Sequence, residues 1–503
     1  MKKNEQPKQE RQKESKTGRA KSRKNHELAV ITYLFIGLFA LMTGYFIYFD
    51  AVLSPDVINN PYNARLDAFA ERNIRGNILA SDGTVLAETK AASDGTETRE
   101  YPYANLFAHV VGYSTRGNTG IEQLANYYLL TSSISPAEQL KNQVKDQKSQ
   151  GDDVVTTLDM DLQRTAYDAL GKNRGAVVVL EAQTGRVLAM VSKPDYDPGT
   201  INEKWDTLTA EDSSESGSVL YNRATQGLYA PGSTFKIVTL LEYMRENPDS
   251  YADFSFNCKG KVTEGNYTIS CYNKKAHGAE DLTKAFAKSC NSAFATIGLS
   301  LDESAFKSTC EELLFNTELP SPLTYSRSSF SLKTDATPAE QMMTAIGQGE
   351  TLVSPLHMAL IAGTIANDGV LMKPYLLEEV RSAKGVTVKT FDTEEYGSLM
   401  TADEAAALTE YMKAVVESGT GSKLKDLGFE TAGKTGTAEY TSDKSKSHAW
   451  FVGFSDTGDQ DIAVCVLVEE RGSGSEYAVP IARQIFQEWY GNKALKDLMN
   501  GTE

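Results

Sequence analysis

The chain has 503 residues, 41% of them apolar and 23% charged, with 38 Gly and 15 Pro. These proportions exclude wholesale disorder, collagen-like repeats and Pro-rich architectures, and the length suits about three domains. The formal charge of −16 argues against a nucleic-acid binder, whose surface is usually basic.

The charge is uneven. Residues 1–27 hold ten Lys/Arg and four Glu, a net of +6, which leaves −22 for the rest. Leu28 to Phe49 then runs for 22 residues without a charge or a His. As a helix it spans about 33 Å, enough to cross the hydrocarbon core of a bilayer. With the cationic stretch in front, the positive-inside rule puts 1–27 in the cytoplasm, 28–49 in the membrane, and everything after Asp50 outside. Tyr45, Tyr48 and Phe49 form an aromatic belt at the outer end. A cleaved signal has a shorter apolar core and a small-x-small site, which Asp50–Ser54 matches poorly, so the segment reads as a single-pass anchor. Chemistry outside the cell has little ATP or nicotinamide to draw on. Neither a G-x-x-x-x-G-K-[ST] loop nor a strand-linked G-x-G-x-x-G is present, and no cofactor is expected.

Residues 50–153 mix short apolar runs with turns. Asn77–Ala80 and Thr84–Ala87 flank Ser81-Asp82-Gly83, a hairpin signal. Lys141 to Asp153 is polar and turn-prone, which suggests a boundary. Beyond it, Asp159 to Leu170 reads as helix, and Ala176–Leu180 with Arg186–Val191 as a second hairpin. Residues 203–218 read as an acidic, Ser-rich loop. Helices are expected over 233–244, 281–299, 338–348 and 402–417. Strands are expected over 434–440, 448–454 and 461–468, followed by a helix opened by Pro480. The domain plan is therefore tail 1–27, anchor 28–49, a small β-rich pedestal 50–153, an α+β body 154–492 and a tail 493–503.

Five Cys stand at 258, 271, 290, 310 and 465. No C-x-x-C occurs, so zinc or thioredoxin-type chemistry is not expected. Cys258 and Cys271 bracket a hairpin-like stretch and either bridge or remain free thiols. Cys465, inside an apolar strand, reads as an inert core residue. The five His (26, 109, 277, 357, 448) show no metal-ligand spacing and read as structural, with no metal site expected.

Three short patterns carry chemistry: Ser233-Thr234-Phe235-Lys236, Ser289-Cys290-Asn291 and Lys434-Thr435-Gly436-Thr437. Each alone is weak. S-x-x-K recurs at Ser304–Lys307 and Ser422–Lys425, S-x-N at Ser255–Asn257, and K-T-G at Lys16–Gly18. Taken singly, Ser233 would be a helix cap, Ser289 and Asn291 turn residues, and Lys434 a surface lysine. Order, spacing and context distinguish the first set: only Ser233 follows Pro-Gly and opens a clean helix. Three residues are about one helical turn, so Ser233 and Lys236 share a face. A hydroxyl becomes a nucleophile when a nearby base takes its proton, and burial beside a second cation, Lys434, lowers the pKa of a lysine enough to serve. Backbone N–H groups of Ser233 and Thr437 suit an oxyanion hole. Ser289 suits a proton relay, and Asn291 a contact to Lys236 and to a substrate amide. Lys434, Thr435 and Thr437, with Gly436 between, suit a substrate carboxylate.

These motifs match S-x-x-K, S-x-N and K-T-G of the penicillin-binding proteins and serine β-lactamases. The chain resembles, over about residues 60–490, a class B penicillin-binding protein of the short A type. Arg75-Gly76-Asn77-Ile78, Gly120-Ile121-Glu122, Thr156–Asp159, Gly185–Met190, Asn222-Arg223-Ala224, Gly347-Gln348-Gly349 and His448–Gly453 extend the match. The resemblance implies a D,D-transpeptidase that forms an acyl-enzyme on Ser233 from D-Ala-D-Ala stem peptides and is acylated by β-lactams. It further implies a non-catalytic pedestal, a transpeptidase fold of antiparallel sheet and helices with an all-helical lobe, and a SEDS-family glycosyltransferase partner in the membrane. The stretch before residue 150 is too short for a glycosyltransferase domain of its own. Alternatives are a β-lactamase or β-lactam sensor on the same fold, and a non-catalytic activator of a glycan polymerase. Glu312–Asn316 echoes the E-x-x-x-N of some β-lactamases but reads as coincidence.

Overall fold

The computed structural model describes residues 8–49, 64–210, 218–439, 446–458 and 460–500. It divides into two units, residues 1–64 and 65–503. In the first, a helix runs over Lys8–Tyr48 and contains the apolar stretch Leu28–Tyr48, none of which is buried. The two threonine hydroxyls of this stretch are satisfied within the helix: Thr32 and Thr43 donate to the carbonyls of Leu28 and Phe39 at 2.8 Å.

The second unit is α+β. Its central sheet has five antiparallel strands: β1 Gly175–Glu181, β2 Val187–Lys193, β3 Thr431–Ala438, β4 His448–Ser455 and β5 Ile462–Val468. The spatial order is β3-β4-β5-β1-β2, so strands from both ends of the body meet in one sheet. Side chains alternate across it. Val177, Val179, Val464 and Val466 pack with Leu162, Ala166, Ile485 and Phe486 of the flanking helices Met160–Leu170 and Gly474–Asn500. Ala176, Val178, Cys465 and Leu467 belong to the other face and join the core that includes helix Pro355–Ala366. Both faces are covered, which is why β5 is an unbroken apolar run and why Cys465 is buried as expected.

Several expected elements differ in detail. The loop 203–218 is helical as far as Ala210, and residues 211–217 lie outside the described residues. Tyr440 of the expected strand 434–440, residues 1–7 of the basic tail, 50–63 of the pedestal and 501–503 of the C-terminal tail also lie outside them. Lys141–Asp153 is built into the fold: helix Pro136–Val144 runs into it, and Ser149–Gln150 pairs with Asn73–Ile74. Strand Asp153–Thr156 pairs with Ile78–Leu79 on one side and with Leu377–Arg381 on the other. The early strands therefore share a six-stranded sheet with strands some 300 residues later. The final helix begins at Gly474 and carries Pro480 inside it.

The two differences that matter most surround the motifs. The expected helix 233–244 is a 3-10 turn, Gly232–Phe235, leading into an α-helix over Lys236–Glu246. The expected helix 281–299 is two helices, Leu282–Ala287 and Asn291–Gly298, broken where Ser289 takes a left-handed φ of +55°.

Candidate active site

The nucleophile turn is held against the edge strand β3. Gly232 has φ +54°, and a Cβ there would sit 2.9 Å from the carbonyl oxygen of Thr437, so only glycine allows this approach. The segment before it is anchored to β4 and β5. Trp450 Nε1 donates to the carbonyl of Ala230 at 3.1 Å, and the Tyr229 hydroxyl donates to the buried Glu469 carboxylate at 2.7 Å. Glu469 also accepts from the buried Arg223 at 2.8 Å. The motif around Asn222-Arg223-Ala224 thus has a structural purpose: it aims Ser233.

Lys236 is wholly buried, and its amine lies among four oxygens: Ser233 Oγ at 3.1 Å, Ser289 O at 2.9 Å, Ser289 Oγ at 3.2 Å and Asn291 Oδ1 at 2.7 Å. The Asn291 amide is oriented by donating Nδ2–H to the carbonyl of Ser270 at 3.1 Å. Two of these oxygens, Ser289 O and Asn291 Oδ1, can only accept. A neutral amine has two N–H groups for them and one lone pair, which is then free to receive the Ser233 O–H. The break between the two helices places Ser289 O and Oγ on the same amine, which a continuous helix would not do.

Lys434, also wholly buried, donates to Ser289 Oγ at 2.9 Å and to Thr435 O at 3.1 Å. Burial lowers Lys236 from 10.5 to about 8, against the opposing pull of Cys290, Cys271 and Glu280. Lys434 is lowered well below its ordinary value, by burial first and then by the charge of Lys236. The repulsion that sequence reasoning assigned to Lys236 therefore falls on Lys434. Ser289 Oγ sits between the two amines as a bridge.

On β3, Thr437 directs its carbonyl toward the nucleophile turn, where it also accepts from Gln348 Nε2 at 3.1 Å. In an extended strand the N–H and C=O of one residue point to the same side, so the Thr437 N–H faces the turn as well. Gly436 fits because a Cβ would meet Pro231 O, Thr234 Cγ2 and Trp450 Cβ, each at 3.0 Å. Thr435 Oγ1 lies 2.5 Å from Thr420 Oγ1, and the Thr420 carbonyl accepts from Ser475 at 2.8 Å.

The structure thus joins Ser233, Lys236, Ser289, Asn291, Lys434 and Thr435 through hydrogen bonds and sets Gly436 and Thr437 against the Ser233 turn. Sequence reasoning missed Thr420 and Ser475 and quoted Gln348 and Trp450 without a role, because none of the four stands in a chemical motif. The duplicate motifs stay apart: Ser304 and Lys307 are exposed on the helix Glu303–Glu312, and Ser255 and Asn257 are exposed on a strand. Glu312 pairs with Arg245 at 2.7 Å, and Asn316 donates to Phe330 O at 2.9 Å. Cys258, Cys271, His277 and Cys290, which spacing gave no reason to group, converge beside the Ser289–Asn291 segment. The sulfurs of Cys258 and Cys271 are 3.6 Å apart and both are free thiols.

The sequence profile of the penicillin binding protein transpeptidase domain matches residues 175–487. The chain belongs to the penicillin-binding protein transpeptidase family. Residues 75–154 match the penicillin binding protein A dimerisation domain. Peptidoglycan D,D-transpeptidase PbpA of Mycolicibacterium smegmatis is 33% identical over 455 residues, covering 84% of this chain and 90% of that protein. The D,D-transpeptidase domain of a peptidoglycan glycosyltransferase from Eggerthella lenta superposes with TM-score 0.75 at 32% identity, covering 84% of this chain and all of that one. The imipenem acyl-enzyme of penicillin-binding protein A from M. tuberculosis gives 0.75 at 28% identity, with the same coverages. In this penicillin-binding protein the dimerisation-type region has its own polar centre. Glu122, fully buried, pairs with Arg75 at 2.6 Å and with Arg99 at 2.8 Å, which explains why Arg75 and Glu122 stood out in the sequence.

Proposed function

We propose that the chain is a serine-type peptidoglycan D,D-transpeptidase, acylated at Ser233 by stem peptides and by β-lactams. The observation that carries it is the buried Lys236 amine, 3.1 Å from Ser233 Oγ and within hydrogen-bond reach of Ser289 O at 2.9 Å and Asn291 Oδ1 at 2.7 Å. Ser233 attacks the penultimate D-Ala carbonyl and Lys236 takes the hydroxyl proton. The Ser233 and Thr437 N–H groups receive the developing oxyanion, an interaction typically worth about 10²–10³ in rate per donor. The amide bond between the penultimate D-Ala carbonyl carbon and the nitrogen of the terminal D-Ala then breaks, and Ser289 relays a proton to the departing amine. An amine of a second stem then attacks the ester. Its proton returns by the same route, the new amide forms and Ser233 regains its hydrogen.

Lys434, with Thr435 and Thr437, receives the substrate's terminal carboxylate. A carboxylate placed there raises the pKa of Lys434 and holds it charged, and that charge then disfavours a proton on Lys236. Substrate binding by this reading moves the proton to the lysine that binds and away from the lysine that acts as base.

The apolar helix and the basic stretch before it support a membrane anchor with its N-terminus in the cytoplasm and the catalytic body outside. The family resemblance supports division of the chain at about residue 153 into pedestal and catalytic regions, and a SEDS-family glycosyltransferase as membrane partner. The deciding experiment is labelling with a fluorescent penicillin, the adduct mapped by peptide mass spectrometry. Stable label on Ser233, absent from Ser233→Ala, is the expected result. Label on another residue, or its rapid hydrolysis, would overturn the assignment in favour of another nucleophile or a β-lactamase.

A further inference from the structure

Ser289 and Asn291 flank Cys290, and the surroundings of Cys290 are unlike an ordinary core. The sulfurs of Cys258 and Cys271 lie 3.6 Å apart, those of Cys271 and Cys290 3.7 Å apart, and Cys258 Sγ lies 3.5 Å from His277 Nδ1. All four donor atoms fall within 4.8 Å of one another. A tetrahedral zinc ion with Zn–S near 2.3 Å and Zn–N near 2.0–2.1 Å has S···S edges of about 3.8 Å and S···N edges of about 3.5 Å. A disulfide needs sulfurs about 2.0 Å apart. It would also leave Cys271, which neighbours both other thiols, able to satisfy only one of them.

Two independent features point to a cation. The first is a set of donors aimed at the sulfurs. The Gly260 N–H reaches Cys258 Sγ and the Ala293 N–H reaches Cys290 Sγ, both at 3.4 Å, while Ser292 Oγ lies 3.1 Å from Cys271 Sγ. A neutral thiol is a weak acceptor, whereas a metal-bound thiolate calls for such donors. The second is Glu280. Its side chain is fully buried, neither carboxylate oxygen has a hydrogen-bond partner among the described residues, and Oε1 lies 3.7 Å from His277 Nδ1. A carboxylate buried against sulfur and nitrogen donors without a hydrogen bond of its own is costly unless a positive centre lies beside it.

We propose that Cys258, Cys271, His277 and Cys290 bind one Zn²⁺ ion, which fixes the Ser289–Asn291 segment to the hairpin that precedes it. Three thiols and one imidazole form a soft donor set that favours zinc over magnesium or calcium. Binding releases the thiol protons to solvent and changes no oxidation state. The ligands reach the catalytic amine from two directions. Cys290 lies between the two residues that touch Lys236, and Cys271 follows Ser270, whose carbonyl orients the Asn291 amide. The ion is therefore a positioning element for the base and takes no part in the acyl transfer.

The test uses the full-length chain in detergent, purified without chelator. Elemental analysis should give about one zinc per chain, and five free thiols should be titrated after denaturation with chelator. The chain stripped under reducing conditions should take up one Co²⁺, with the intense sulfur-to-cobalt absorption of a tetrahedral thiolate site. His277→Ala should weaken that uptake at least about tenfold, and Cys258→Ser should weaken the absorption as well. A reduced wild-type chain that takes up neither ion refutes the site even if the variants fail to fold, as does a native Cys258–Cys271 disulfide. Stripping should slow penicillin acylation about tenfold, with recovery on adding Zn²⁺. An unchanged rate in verified metal-free protein would refute the positioning role. Metal uptake is read without reference to Ser233, so it fails or succeeds separately from the transpeptidase assignment.

Discussion

If Lys236 is the base, the acylation rate must follow its ionisation. Burial brings this amine from 10.5 to about 8, a change of about 3 kcal/mol between its two protonation states. At pH 7 about a tenth of the molecules then carry a neutral amine, against about one in three thousand for an ordinary lysine. The sign is fixed: a proton on Lys236 blocks the reaction, so the rate rises with pH and levels off above the pKa. The second-order constant for acylation by a fluorescent penicillin reports the free enzyme. Measured by rapid quench and gel, it should climb about tenfold between about pH 6 and 7, climb less steeply toward pH 8, and level off above about pH 9. The absolute rate does not matter to the argument, only the midpoint. A profile flat over this range would sink the reasoning, because the proton would then go elsewhere. A midpoint near the ordinary lysine value would also sink it, because the buried environment would not be lowering the pKa.

Three further outcomes follow from the packing. Gly232→Ala forces a left-handed residue, costing about 1–2 kcal/mol, and brings its Cβ 2.9 Å from Thr437 O; labelling of Ser233 should fall at least about tenfold while the circular dichroism spectrum is kept. Glu122→Ala leaves Arg75 and Arg99 without their buried counter-ion, and chemical denaturation should show a loss of about 3–5 kcal/mol with Ser233 still acylated in the folded protein. Glu312→Gln, which removes only an ion pair to Arg245, should leave the lifetime of the penicillin adduct unchanged; a longer-lived adduct would mark Glu312 as the base of a hydrolase.

The three motifs were legible because each packs its chemistry into three or four residues with a local geometry: a helical turn brings Ser233 to Lys236, and a strand presents Lys434 to Thr437. The anchor was legible from composition, since an uncharged, mostly apolar stretch of 21 residues in one helix needs no tertiary information. The sheet was legible as strands, because β5 is apolar throughout. Its order was not, because nothing local pairs Gly175–Glu181 with Ile462–Val468.

Other features required the folded chain. The break at Ser289 is a left-handed residue between two helical stretches, and it lets Ser289 O and Oγ both reach the Lys236 amine. Which lysine bears the mutual repulsion depends on burial at each amine, a property of the packed core. Thr420, Ser475, Gln348 and Trp450 support the site from elements distant in sequence. The same holds for Cys258, Cys271, His277 and Cys290, whose spacing resembles no metal motif. The sequence alone determined what Ser233, Lys236 and Lys434 are able to do, since bond chemistry and helix period are local. Tertiary structure decided how far the pKa of each amine is lowered and the company of the cysteines, since desolvation and convergence arise only when remote segments exclude water together.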